Sequence, residues 1–152
     1  MAPAQNAADA LSEDSPLRLE RQLCFPLYAA GRRAVGRYTP LLRPLGLTYT
    51  QYLVLLLLWE RDGLPVGELC RKLYLDNGTL TPLLKKLEDA ALVRRERSRN
   101  DERVVSVRLT ERGRALRREA ERIPEQVGKD LPISPEEAET LYRLLYRVIE
   151  GL

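Results

Sequence analysis

The chain of 152 residues contains no histidine. That absence removes the commonest metal ligand and the usual general base at neutral pH, which argues against zinc sites and His-dependent triads. Only two cysteines occur, Cys24 and Cys70. They are too few for a secreted disulfide framework and suit a reducing cytoplasm in which a thiol stays free. Long apolar runs are missing as well. The longest, Tyr52 to Trp59, has eight residues, far short of the roughly 20 needed to span a bilayer. Met1 to Ser15 is rich in Ala, Ser and acidic residues and lacks the basic start and apolar block of a signal peptide. The expectation is a soluble cytoplasmic protein without metal, cofactor, membrane partner or familiar enzymatic machinery.

What is present fits one compact unit with enough apolar content for a core. The net charge is only +3, but its distribution is uneven. Between Lys85 and Arg118 there are 12 basic and 6 acidic side chains, a local excess that suggests a polyanionic partner.

Apolar positions Leu27, Ala30, Ala34, Tyr38 and Leu41 predict a first helix from about Cys24 to Leu42. Pro26 is tolerated only in a first turn, so Cys24 should lie at the helix N-terminus. Pro44 and Gly46 break the chain, and Thr48 with Gln51 forms a capping box for a buried helix to Trp59, ended by Asp62 and Gly63. Val66, Leu69, Cys70 and Leu73 then fall at i, i+3, i+4 and i+7. Leu80, Leu83, Leu84 and Leu87 repeat that spacing after a tight connection from Tyr74 to Gly78. Two short amphipathic helices joined this closely predict a helix-turn-helix, the second starting near Thr79 because Pro82 is costly deeper in a helix.

Leu92 to Arg97 and Arg103 to Leu109 read as strands joined by the polar link Ser98 to Glu102, a hairpin with the form of a wing. Thr110 can cap a basic helix to about Arg122, interrupted at Ile123 and Pro124. Ser134, Pro135 and Glu137 open a last helix with an apolar stripe of Leu141, Leu144, Leu145 and Val148. The expected architecture is mainly α with a small β-wing. Residues 1–16 form a disordered tail and 17–152 a single domain, with 64–112 the winged helix-turn-helix. The flanking helices, 17–60 and 113–152, either pack within one chain or serve as the interface of a C2 dimer.

A recognition helix of this kind enters the major groove, with Asn77, Thr79 and Thr81 near base edges and Lys85 and Lys86 on the backbone. On the wing, Arg95 faces DNA and Arg103, oriented by Asp101, suits a narrow minor groove. Any one of these residues could be a plain surface group. Their coincidence carries the reading.

Asp101-Glu-Arg103 followed by Leu109-Thr110 resembles the wing signature of the MarR family. Leu23-Cys-Phe-Pro-Leu-Tyr28, Gly46 to Leu53 and Leu73 to Leu84 resemble its organic hydroperoxide resistance branch. Pro26, Asn77 and Ala91 depart from the branch pattern; Ala91 stands where glycine is usual, and a left-handed backbone there would cost alanine about 1 kcal/mol.

A lone cysteine is by default a small buried hydrophobe. For Cys24, however, the helix N-terminus favours a thiolate, and Tyr28 lies at i+4 on the same face. The resemblance implies that Tyr38 and Tyr49 reach this thiolate from the partner subunit. It implies a repressor on a pseudo-palindromic operator, released when an organic hydroperoxide oxidises Cys24. An apolar pocket of Phe25, Leu27 and Tyr52 would explain a preference for organic peroxides. Cys70 reads as structural, and no cysteine follows it, which suggests the one-cysteine type, whose sulfenic acid is captured by a low-molecular-weight thiol or oxidised further. The alternative is a repressor that answers a non-covalent aromatic or phenolic ligand.

Overall fold

The computed structural model describes residues 12–97, 101, 103–129 and 131–152. The expected disordered tail lies largely outside these, as does the wing link Ser98 to Glu102 apart from Asp101. From Ser12 the chain is turned and hydrogen-bonded, with Arg21 Nη2 on Asp14 Oδ1 at 2.7 Å.

Helix α1 spans Cys24–Leu42 and α2 spans Tyr49–Glu60. The capping box is present: Thr48 Oγ1 accepts from Gln51 N–H, and Gln51 Oε1 accepts from Thr48 N–H at 2.8 Å. A two-residue strand β1, Leu64–Pro65, leads into α3, Val66–Leu73, and α4, Asn77–Asp89. Strands β2, Val93–Arg97, and β3, Val105–Leu109, precede α5, Glu111–Ala120, α6, Ile123–Gly128, and α7, Pro135–Glu150. The sheet is antiparallel in the order β1-β3-β2, with Leu64 opposite Val107 and Val93 opposite Leu109.

Two expectations need correction, and one element was not expected. Helix α4 starts at Asn77, two residues before Thr79, because the Asp76 carboxylate caps it by accepting from Thr79 N–H at 2.7 Å. Pro82 therefore lies inside the helix, where it withholds one backbone donor. The basic helix ends at Ala120, and Pro124 opens a further short helix, α6, that buries Ile123 and Val127 at i, i+4 spacing. Strand β1 has no period to betray it. Its proline sits in an edge strand, where the missing donor is tolerated.

The core lies where α2, α3, α4 and the sheet meet. Leu55, Leu58, Leu64, Leu69, Leu80, Leu84, Leu87 and Val107 are all at most 1% exposed. The outer helices differ. Only Leu42 of α1 is buried, and no residue of α7 is.

Two junctions lock the wing to this core. Leu92 N–H donates to Leu87 O and Ala91 N–H to Glu88 O, the paired bonds of a Schellman ending. They place Ala91 at φ 55°, in the region that disfavours a Cβ. Thr110 then binds this ending to α5: its hydroxyl donates to Ala91 O at 2.7 Å and accepts from Gly113 N–H at 3.0 Å. Gly113 is packed so closely that a Cβ there would stand 2.0 Å from Leu92 O. The second junction is Asp62, whose Oδ1 accepts from Leu109 N–H at 2.8 Å and from Gly63 N–H at 2.9 Å, while Oδ2 holds Arg114 at 2.9 Å. Partial burial pushes this carboxyl up, but the bonds from Leu109, Arg114 and Gly63 outweigh it and hold it below the ordinary value.

Two outcomes follow. Ala91→Gly removes the left-handed strain and should raise unfolding free energy by about 1 kcal/mol in urea denaturation; a lower midpoint would contradict the strain. Because the folded state holds Asp62 depressed, it binds fewer protons than the unfolded chain. The stabilisation is complete above the ordinary carboxylate pKa of about 4 and is lost as pH falls through the lower folded value. Asp62→Asn should therefore be less stable at neutral pH and lose less on acidification; parallel stability-versus-pH curves would refute the assignment.

Candidate functional site

The exposed face of α4 and the wing enclose a groove of about 500 Å³ lined by Asn77, Thr81, Arg95 and Arg103, with Pro65, Val66 and Val105 as its floor. Four of the eight residues expected to face DNA are thus brought together. Lys85 and Lys86 are exposed one turn further along α4. Thr79 is less free than expected: its hydroxyl donates to Asp76 Oδ2 at 3.0 Å. The Thr79 N–H and hydroxyl bonds hold the Asp76 carboxyl below its usual range, so it stays an anionic cap.

The wing cations divide into two groups. Arg95 binds Glu88 of α4 through its backbone N–H at 2.9 Å, Nε at 2.8 Å and Nη2 at 2.7 Å. These bonds, the guanidinium's first, hold Glu88 below the ordinary carboxylate value. Arg95 therefore serves first to fasten the wing to the recognition helix. Glu88, which the sequence reading passed over, is its partner seven residues earlier. Arg94 and Arg108 share Glu96 at 2.7 and 3.0 Å. Among the described residues, Lys85, Lys86, Arg97 and Arg103 form no ion pair, which leaves their charge for a partner. Asp101 does orient Arg103, though through the backbone: its Oδ1 accepts from Arg103 N–H at 3.0 Å. A carboxylate so engaged shapes the wing tip without neutralising the guanidinium.

The second constellation lies on the outer helices. Cys24 is the first residue of α1 and is exposed. Tyr28 follows one turn on, 61% exposed, and its hydroxyl accepts from Arg32 Nη1 at 3.2 Å. The Arg32 guanidinium also lies 5.5 Å from the Tyr28 ring centroid. Arg32 was missed in the sequence, although its i+4 spacing from Tyr28 is the same signal that tied Tyr28 to Cys24. By accepting from a cation, the phenol becomes a stronger donor through its own O–H.

Tyr38 and Tyr49 meet each other in one chain, ring centroids 4.8 Å apart, with Tyr52 at 6.0 Å from Tyr38 and Trp59 at 6.2 Å from Tyr52. Burial, then neighbouring Tyr38, pushes the Tyr49 and Tyr52 phenols above their usual value, so both remain hydroxyl donors. Among the described residues no bond or ring contact joins this cluster to Cys24 of the same chain. The expected pocket of Phe25, Leu27 and Tyr52 also does not form within one chain. Phe25 lines a depression with Tyr28, Ala29, Arg32 and Arg33, whereas Tyr52 lines another with Leu56, Trp59, Arg117 and Pro124. The reason is packing: Tyr52 is 2% exposed on core helix α2, while Phe25 is 43% exposed on α1.

A family profile described as transcriptional regulator SarA/Rot matches residues 37–120. The chain is 48% identical over 139 residues to the organic hydroperoxide resistance transcriptional regulator of Bacillus subtilis, covering 90% of this chain and 92% of that one. Its fold is similar to a MarR transcriptional regulator from Methanosarcina mazei, at 27% identity and TM-score 0.66, covering 83% of this chain and 90% of that one. The chain belongs to the MarR family. This MarR-family regulator also resembles AbfR, solved reduced and overoxidised on DNA, each at 36% identity and TM-score 0.73 over 88% of this chain and 93 or 94% of AbfR. It is accordingly a winged-helix DNA-binding transcriptional regulator and not an enzyme. No single helix among the described residues is long and apolar enough to cross a membrane.

Arg103→Ala should weaken duplex binding about tenfold and reduce the slope of log affinity against log salt by about one, with unchanged reactivity of Cys24 toward a thiol reagent. An unchanged salt slope would remove Arg103 from the phosphate or groove contacts.

Proposed function

We propose that this protein is a dimeric, peroxide-sensing repressor of the organic hydroperoxide resistance type, acting in the cytoplasm, with Cys24 as its switch. The observation that carries the reading is the exposed Cys24 at the start of α1, with Tyr28 and Arg32 spaced along the same helix face, in a chain 48% identical to a hydroperoxide resistance regulator.

Dimerisation is supported by the outer helices. Helix α7 exposes Leu141, Leu144, Val148 and Ile149 at 39 to 48%, and a 16-residue helix that buries nothing is marginal in water. A second copy covering α1 and α7 supplies the missing surface and sets two recognition helices on a pseudo-palindromic operator. It also brings the partner's Tyr38 and Tyr49 to Cys24, together with the apolar environment of Phe25, Leu27 and Tyr52. Each Tyr hydroxyl donates to the thiolate.

The thiolate attacks the terminal oxygen of an organic hydroperoxide. The O–O bond breaks, an alkoxide leaves and takes a proton, and Cys24 becomes a sulfenic acid. A low-molecular-weight thiol then displaces hydroxide, giving a mixed disulfide and water. Each product is larger than the thiolate and cannot accept the same bonds, so the tyrosines shift and the two winged domains lose their half-site spacing. Overoxidised AbfR was captured on DNA. We therefore assign release here to the bulkier mixed disulfide ahead of sulfinic or sulfonic acid.

A second reading rests on the depression of about 270 Å³ between α2 and α5–α6, where Tyr52 and Trp59, with Glu60, Arg117 and Glu121 around them, would suit a phenol. One experiment separates the two: DNA binding by wild type and Cys24→Ser, with and without cumene hydroperoxide followed by a small thiol. The wild type should dissociate and recover with reductant, and the serine variant should stay bound. Equal release of both proteins would end the redox reading and favour the non-covalent one.

A further inference from the structure

Cys70 takes no part in the chemistry proposed for Cys24. It stands on α3 where the chain turns into α4, and its thiol donates to Asn77 Oδ1 at 3.3 Å. Its carbonyl accepts from Leu75 N–H at 3.0 Å, so main chain and side chain both brace the turn. Asn77 opens α4, is exposed, and lines the groove beside Thr81 and Arg103. The S–H, a weak donor, faces the oxygen end of the amide, which is the end able to accept it. With the oxygen turned inward, Nδ2 and its two N–H groups are left for the groove, and among the described residues none of the hydrogen bonds engages them.

This orientation matters for base reading. A free asparagine recognises adenine in two ways at once, donating to N7 and accepting from the N6 amino group. An asparagine whose oxygen is turned inward to the thiol presents only its Nδ2 donors to the groove. Guanine presents two acceptors, N7 and O6, to the major groove. We propose that Cys70 is a positioning residue that holds the Asn77 amide as a donor-only reader, so that Asn77 favours guanine over adenine at the base pair it faces. The inference rests on the DNA-facing role proposed for Asn77. Without the thiol the amide can turn over, and adenine becomes an equal partner.

The test uses the full-length protein and a randomised duplex pool, comparing recovered base preferences for wild type, Cys70→Ala, Cys70→Ser and Asn77→Ala. Wild type should show guanine over adenine at one position of each half-site. Cys70→Ala should lower that ratio about tenfold and leave the other positions and the salt slope unchanged. Cys70→Ser, which keeps a donor, should retain most of the preference. Adding Cys70→Ala to Asn77→Ala should change nothing further, because no amide is left to orient. Cys70→Val, close in volume and without a strong donor, repeats the comparison if the alanine variant unfolds. Loss of the preference in Asn77→Ala with none in Cys70→Ala and Cys70→Val would overturn the positioning role alone. An unaltered profile in Asn77→Ala would overturn the DNA-facing role of Asn77 and the inference with it.

Discussion

Asp62 gathers three bonds, two of them to residues 47 and 52 positions along the chain. Its two oxygens hold the end of β3 through Leu109, the turn through Gly63 and the first turns of α5 through Arg114. Three residues earlier, the Trp59 indole N–H donates to Gly113 O at 2.8 Å, on the helix whose start is capped by Thr110. The C-terminal end of α2 therefore grips the wing strand and the following helix at separate points. That grip adds to the pairing with β1, the Schellman ending of α4, the Arg95–Glu88 bonds and the buried Val93, Val107 and Leu109 in fixing the hairpin to the core. α2, the sheet and α5 are thus bonded to one another, and α4 is fastened to β2 by Arg95 and Glu88.

That rigidity gives the aromatic cluster its importance. Tyr38 meets Tyr49 and Tyr52 at tilted angles, and Tyr52 meets Trp59 edge-on. The side chains proposed to answer the state of Cys24 are thus continuous with the side chains that hold the wing. A disturbance of the phenols cannot be absorbed locally by a core whose residues are almost wholly buried. In the proposed switch it passes instead to the orientation of the winged body relative to the outer helices, which bury few residues within one chain.

Most of the fold could be read from the chain because its signals are local. The first helix begins at Cys24 as the position of Pro26 requires, and both capping boxes announce themselves in Thr48 with Gln51 and Ser134 with Glu137. What escaped were features with no period or with distant partners. Strand β1 is two residues long, and Asp62, expected only to end a helix, bonds residues 47 and 52 positions away. Helix α4 starts earlier than Pro82 suggests because the Asp76 cap fixes its first turn. At the site, spacing on one helix tied Cys24 to Tyr28, but no spacing shows that Arg95 belongs to Glu88 or that the Thr79 hydroxyl is committed to Asp76.

The division of the wing's charge bears on how affinity and geometry are kept apart. A segment with twice as many bases as acids looks like a uniform phosphate-binding strip, yet Arg94, Arg95, Arg108 and Arg114 each meet a carboxylate of the same chain. Exposed pairs of this kind add little stability individually. Their effect is to fix the strands and helices on which the unpaired cations stand. The cations proposed to meet DNA, Lys85, Lys86 and Arg103, thus stand at set positions, and in the proposed dimer a small rotation of one winged body against its partner would misplace all of their contacts together. Graded loss of single contacts would make a poor switch; a rigid platform makes release cooperative.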